Sequence, residues 1–142
     1  MALDVGEARV GVAISDALGF SAQPIATIRR AGLAPDLTKV ADLAREHEVA
    51  TIVVGLPLKL DGGAGPAAAS ILTFVEKLQR KVDIPVVTFD ERFSTVQAER
   101  ALLEGNVSRR RRRDAIDKVA AAIILQAYLD SRPRTAPLEE AP

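Results

Sequence analysis

The chain contains no cysteine, which excludes disulfide bonds and thiolate metal sites and gives no reason to expect secretion. It also has no apolar run near the roughly 20 residues that a membrane helix needs, and no signal peptide at its start. We therefore expect a cytoplasmic protein with no membrane contact. Aromatic residues make up 4 % of the chain, and the four phenylalanines are too few and scattered for a base-stacking platform. The single histidine, His47, lies between two glutamates, which favours a surface role over catalysis.

Net charge is absent as well, because 19 Lys and Arg balance 19 Asp and Glu. Neutrality by itself argues against a nucleic-acid partner. The distribution argues for one, since Arg109, Arg110, Arg111, Arg112 and Arg113 form an unbroken basic run. A neutral protein can still present a local basic patch to phosphates. The alternative is that the run is a solvated surface stretch.

The chain has enough residues for one well-packed domain and too few for two, with 142 residues of which 48 % are hydrophobic. We predict one domain over residues 1–131. The segment 132–142 is rich in Pro, Glu and Ala without any periodic pattern, and we expect it to be a disordered tail.

Apolar patterns predict a β-hairpin at the start of the chain, followed by alternating strands and helices. The first strand of the hairpin ends at Asp4. Further strands are expected at 10–14, 24–28, 51–56 and 84–89. One helix should open at Pro35, and another should bury Ile71, Leu72, Val75 and Leu78. The next should begin at Ser94, which has capping-box spacing to Gln97, and should stop near Gly105. The last carries the apolar stripe Ile116, Val119, Ala120, Ile123 and Ala127. This order predicts an α/β fold with a mixed sheet flanked by helices.

Several acids follow or end the predicted strands, where sites gather in open α/β sheets. The candidates are Asp4 on the first strand, Glu91 after the last strand, and Asp117 beside the apolar stripe of the last helix, with Asp114 one turn earlier. Carboxylates suit Mg²⁺ or Mn²⁺, and two such ions about 4 Å apart can hydrolyse a phosphodiester. Each acid also has a structural alternative, such as a turn, an ion pair or a helix cap.

Four segments in this order resemble the YqgF/RuvX family: LDVGEARVGVAISD at 3–16, GLPLKLDG at 55–62, FDERFST at 89–95 and IDKVAAAIILQ at 116–126. The resemblance covers about residues 1–130. It implies an RNase H-like fold related to the RuvC resolvases. The family is described both as a Holliday junction resolvase and as a nuclease that matures the 5′ end of pre-16S ribosomal RNA.

The resemblance implies that Asp4, Glu91 and Asp117 bind the metal and act in catalysis, with Asp114 as an auxiliary ligand. A two-metal site holding Mg²⁺ or Mn²⁺ is the expected cofactor arrangement. The chain departs from the family in two places. Family members usually have a few residues before the first strand, so a start upstream of Met1 stays open, and Lys59 stands where the family often has asparagine.

The basic residues near these acids are expected to contact the phosphate backbone. They are Arg9, Arg92, Lys59 and the run Arg109, Arg110, Arg111, Arg112 and Arg113. Five cations at the start of a helix oppose its dipole, and approaching phosphates would offset that cost. Phosphate contacts position a substrate without reading its sequence, so specificity is expected to come from shape.

Several alternatives stay open at this point. An actin-like ATPase or sugar kinase also opens with an Asp-x-Gly hairpin, but it needs a second domain for which the chain has no room. A non-catalytic RNA- or protein-binding factor would not require the three acids together. The sequence does not choose between a four-way DNA junction and precursor rRNA, between Mg²⁺ and Mn²⁺, or between a monomer and a homodimer.

Overall fold

The computed structural model describes residues 1–105 and 109–133, without the side chains of residues 109–114. The elements in chain order are β1 (Ala2–Val5), β2 (Arg9–Ser15), β3 (Ala22–Arg29), α1 (Leu33–Glu46), β4 (Ile52–Leu56), α2 (Pro66–Lys81), β5 (Val86–Asp90), a 3-10 turn (Glu91–Phe93), α3 (Val96–Glu104) and α4 (Arg109–Ser131). Among the described residues, no helix is both long enough and apolar enough to cross a membrane.

The strands form one mixed sheet in the order β3-β2-β1-β4-β5. β1, β2 and β3 are antiparallel neighbours, whereas β4 and β5 run parallel to β1. The predicted mixed sheet is therefore confirmed. The parallel strands β1, β4 and β5 bring their carboxyl ends to one edge of the sheet, where ligand sites of open α/β sheets gather.

Apolar side chains from alternate strand positions fill two separate cores, because successive residues of a strand point to opposite faces. On one face, Leu3, Val12 and Val54 pack with residues of α1 and α2, including Phe74. On the other face, shorter side chains such as Ala2 pack against α3 and α4. Small residues on this second face let the long helix α4 lie close to the sheet.

Two local predictions differ from the structure. Helix α3 begins at Val96 with Thr95 as its N-cap, so the capping box predicted from Ser94 to Gln97 is wrong. Ser94 instead closes the 3-10 turn, because its hydroxyl donates to the Glu91 carbonyl at 2.9 Å. On α2, Leu72 is 43 % exposed, and the buried face uses Phe74 instead. The predicted tail lies outside the described residues apart from Arg132 and Pro133.

Candidate active site

Asp4 lies near the carboxyl end of β1, in the centre of the sheet, on the face covered by α4. Leu3 and Val5 belong to the core on the opposite face, whereas Ala2 belongs to the core under α4. Asp4 alternates with Leu3 and Val5 and therefore shares the α4 side with Ala2. Its residue exposure is 8 %, so this carboxylate is largely removed from water.

The neighbouring strand carries a glycine opposite Asp4, and α4 crosses the sheet at that point. Gly11 on β2 pairs in register with Asp4. A Cβ at Gly11 would lie 1.9 Å from the backbone carbonyl oxygen of Asp117. Only a residue without a side chain allows this approach, and it brings Asp117 of α4 beside Asp4.

A second glycine makes room for Glu91 on the other side of Asp4. Gly55 on β4 follows Val54, which pairs with Leu3 of β1. A Cβ at Gly55 would lie 2.9 Å from Glu91 Oε2 and 2.6 Å from Ile124 Cδ1. Glu91 is the first residue of the 3-10 turn after β5 and is buried. Its side chain therefore lies over the glycine next to Asp4.

The three carboxylates line one cavity of about 570 Å³ at this edge of the sheet. The structure thus brings Asp4, Glu91 and Asp117 together, although Asp4 and Asp117 are 113 positions apart in the chain. Arg30, Arg100 and the first turn of α2 line the same cavity. The cavity therefore brings acidic and basic side chains to one space.

Arg100 of α3 bridges two of the carboxylates. Its Nη2 donates to Asp4 Oδ1 at 2.5 Å and its Nη1 donates to Glu91 Oε1 at 3.1 Å. Burial raises the pKa of Asp4 from 3.8 to about 6; the charge of Arg100 opposes this shift, and the charges of Glu91 and Asp117 add to it. The cluster therefore needs positive charge close by, and Arg100 supplies it.

Asp117 is paired with a different arginine. Arg9 Nε donates to Asp117 Oδ2 at 2.6 Å, and both side chains are 21 % exposed. Arg9, expected to contact nucleic acid, is therefore engaged with one of the expected metal ligands.

The donor set fits a divalent metal, because three carboxylates offer the hard oxygen ligands that Mg²⁺ and Mn²⁺ prefer. The need of Asp4 for nearby positive charge points the same way. Among the side chains that the structure describes, which leave out Asp114, however, no three His, Cys, Asp or Glu are close enough to hold one ion in this arrangement. A guanidinium group lies between Asp4 and Glu91 instead.

Arg30 adds positive charge to the cavity and is itself held by a buried acid. Its Nε donates to Asp36 Oδ2 at 3.0 Å, and its Nη1 donates to the Gly6 carbonyl at 3.0 Å. Asp36 is fully buried and also accepts from the Ala31 amide at 2.9 Å. Burial alone would raise the pKa of Asp36, but these hydrogen bonds and the Arg30 charge hold it below its ordinary 3.8.

Replacing Asp36 with Asn should lower the free energy of unfolding at pH 7 by about 2–3 kcal/mol, because hydrogen bonds to a buried charge are lost. The lowered pKa means that the carboxylate contributes stability above pH 3.8 and loses it as the pH falls through the folded-state value. The difference in the free energy of unfolding between wild type and variant, measured by urea unfolding, should therefore be constant at neutral pH and shrink below about pH 4. Asp42→Asn, an exposed change on the same helix, should alter stability by less than about 0.5 kcal/mol. An equal loss in both variants would contradict this account.

The other predicted contacts lie outside the cavity or outside the described side chains. Arg92 is paired with Asp90 through Nη2 at 2.6 Å and donates to the Leu60 carbonyl at 3.3 Å. Lys59 is exposed in the turn after β4, where its amide donates to the Gly63 carbonyl at 3.0 Å. The side chains of Asp114, Arg109, Arg110, Arg111, Arg112 and Arg113 lie outside the described part of the chain.

Sequence reasoning missed four residues that shape the site: Gly11, Gly55, Arg30 and Arg100. The glycines carried a usable signal, since an isolated glycine inside a strand indicates close approach of another group. The arginines carried none. Arg100 lies 96 positions from Asp4, and no local pattern connects the two.

Comparison with known proteins gives consistent matches. Residues 1–131 match the family described as RuvX, Holliday junction resolvase. A Moorella thermoacetica protein named "Putative pre-16S rRNA nuclease" is 52 % identical over 130 residues, covering 92 % of this chain and 93 % of that protein. A Desulforamulus reducens protein of the same name is 47 % identical over 131 residues, covering 92 % and 96 %.

A solved structure has the same fold. Thermus thermophilus RuvC in complex with a Holliday junction substrate aligns with a TM-score of 0.56 at 12 % identity, covering 89 % of this chain and 90 % of that one. At this identity the similarity concerns the fold alone. The RNase H-like architecture expected from the sequence is confirmed.

Proposed function

The chain belongs to the RuvX family of Holliday junction resolvases, and on this basis we propose that it is a metal-dependent endonuclease that hydrolyses phosphodiester bonds in structured nucleic acid. The convergence of Asp4, Glu91 and Asp117 on one cavity carries the proposal. A binding module would gain nothing from three carboxylates at this position, because carboxylates repel phosphates unless cations lie between them.

Asp4, Glu91 and Asp117 would hold Mg²⁺ or Mn²⁺ in a two-metal site, with Asp114 as an auxiliary ligand. When bound, such ions activate water and stabilise the leaving oxygen of a phosphodiester. The protein's own part is to keep the three carboxylates together. Gly11 and Gly55 do this by allowing the segments that carry Asp117 and Glu91 to approach Asp4.

Positive groups around the cavity would position the phosphate backbone. Arg30 lines the cavity, and the first turn of α2 faces it with the positive end of a helix dipole. Arg92 and Lys59 lie near one another outside the cavity, where Arg92 contacts the loop that contains Lys59. We extend the same role to Arg9 and to the run Arg109, Arg110, Arg111, Arg112 and Arg113.

Precursor 16S rRNA is the substrate that we propose first, because relatives that are 47 % and 52 % identical to this chain are named "Putative pre-16S rRNA nuclease". The family description favours a four-way DNA junction as the second candidate. A junction has two equivalent strands to cut, so that activity would be expected of a two-fold homodimer. Either substrate is consistent with the cytoplasmic location expected from the sequence.

The purified protein should cleave at least one of two substrates, a precursor 16S rRNA fragment with its 5′ extension and a four-way DNA junction. Cleavage should require Mg²⁺ or Mn²⁺ and stop in excess EDTA, because the carboxylates cannot perform the chemistry alone. Products resolved on denaturing gels, with a linear duplex of the same sequence as control, would show whether shape is recognised.

Binding to both substrates without cleavage in either metal would favour the non-catalytic RNA- or protein-binding factor. Nucleotide hydrolysis without nucleic-acid cleavage would favour an ATPase. Sedimentation of the protein alone and with the junction would test the homodimer separately.

A further inference from the structure

Arg100 stands between two carboxylates that the proposed function assigns to a metal. One arm of the guanidinium contacts Asp4 and the other contacts Glu91, so the group spans the space between them. Resting on the proposed function, we propose that Arg100 is an internal counter-ion that competes with the divalent metal and must leave the carboxylates when the metal binds.

Geometry and charge both support competition. One carboxylate oxygen of Asp4 and one of Glu91 accept hydrogen bonds from Arg100. A divalent ion bound by these two carboxylates would repel the guanidinium at short range. Arg100 belongs to α3, whereas Asp4 belongs to β1 and Glu91 to the 3-10 turn. Its side chain is 27 % exposed, so rotation toward solvent is open to it.

The pairing differs from the surface ion pairs of the same protein. Glu91 has a side-chain exposure of 2 % and Asp4 of 11 %, so both charges have lost most of their water. Removing a partner from a buried charge is costly, whereas exposed pairs contribute little. Arg80 and Glu76 form such an exposed pair on α2, with side-chain exposures of 72 % and 65 %. Arg100 therefore stabilises the carboxylate cluster when no metal is present.

Mn²⁺ binding measured by electron paramagnetic resonance tests the proposal without any need for catalysis. Arg100→Gln should bind Mn²⁺ at least about tenfold more tightly than wild type, because the competing charge is gone. In EDTA the same variant should unfold at a lower temperature than wild type, and Mn²⁺ should raise its unfolding temperature by more. Arg80→Gln is the matched control and should leave both quantities unchanged.

Arg100→Lys provides a second variant if the glutamine protein folds poorly. A lysine keeps the charge but cannot span both carboxylates, so its Mn²⁺ affinity should lie between those of wild type and Arg100→Gln. Unchanged or weaker Mn²⁺ binding in the Arg100 variants would overturn the proposal while leaving the proposed function intact. If neither wild type nor any variant bound Mn²⁺, the metal site itself would be wrong.

Discussion

Asp4→Asn should lower metal-dependent cleavage by at least about 100- to 1,000-fold, the size of effect seen when one preorganised electrostatic group is removed from an active site. Asparagine has the shape of aspartate and can still accept a hydrogen bond from Arg100. It lacks the negative charge that a divalent ion requires. The cleavage rate under single-turnover conditions in Mg²⁺ and in Mn²⁺ is the quantity to measure.

The fold should survive this substitution. Asp4 lies beside two other carboxylates, and its pKa of about 6 shows that burial and their charges disfavour its ionised form. Replacing it with a neutral side chain removes a buried charge and also relieves that repulsion, so the unfolding temperature in EDTA should not fall by much. Asp42→Asn, on the exposed face of α1, controls for the change of residue type and should cleave at the wild-type rate. Wild-type cleavage by Asp4→Asn would refute the metal site.

Gly11→Ala is expected to lower the free energy of unfolding by about 3 kcal/mol or more, at or beyond the upper end for overpacking a core. The added Cβ would lie 1.9 Å from the Asp117 carbonyl oxygen and 2.3 Å from its carbonyl carbon. Both atoms belong to the backbone of α4, so no side-chain rotation can relieve the contact. The whole helix would have to move away from the sheet.

Gly105→Ala is the matched control for this prediction. Gly105 has right-handed helical backbone angles, and its added Cβ would make only an ordinary contact of 3.5 Å with the Leu102 carbonyl oxygen. It should change stability by less than about 1 kcal/mol. Urea unfolding of both variants gives the comparison. Equal stability of Gly11→Ala and Gly105→Ala would mean that α4 does not approach the sheet as closely as described.

Much of the fold follows from local pattern. The alternation of Leu3, Asp4 and Val5 already places Asp4 on the opposite face from its apolar neighbours, and the stripe around Ile116 places Asp117 at the edge of a helix face. Helix α3 has its N-cap at Thr95, one residue later than predicted. The Ser94 hydroxyl, which was predicted to cap the helix, donates instead to the Glu91 carbonyl of the preceding 3-10 turn. Helix boundaries depend on such contacts more than on spacing.

The site itself was predictable only as a set of candidates. The resemblance to a family gave Asp4, Glu91 and Asp117 a shared role, whereas residue patterns alone left each acid with an ordinary structural alternative. Their partners could not be predicted. Arg9 pairs with Asp117 and Arg100 with Asp4 and Glu91, and these contacts join segments that are far apart in the chain.

The sequence by itself determined the type and order of the helices and strands, because hydrophobic periodicity and turn residues act over a few positions and need no knowledge of the rest of the chain. It also determined the inventory of charges. The tertiary structure decided which charged side chains contact one another. Two glycines on the strands beside Asp4 allow α4 and the turn after β5 to come within contact distance, and burial then makes the carboxylates require a cation. In this structure, the cation that contacts both Asp4 and Glu91 is Arg100.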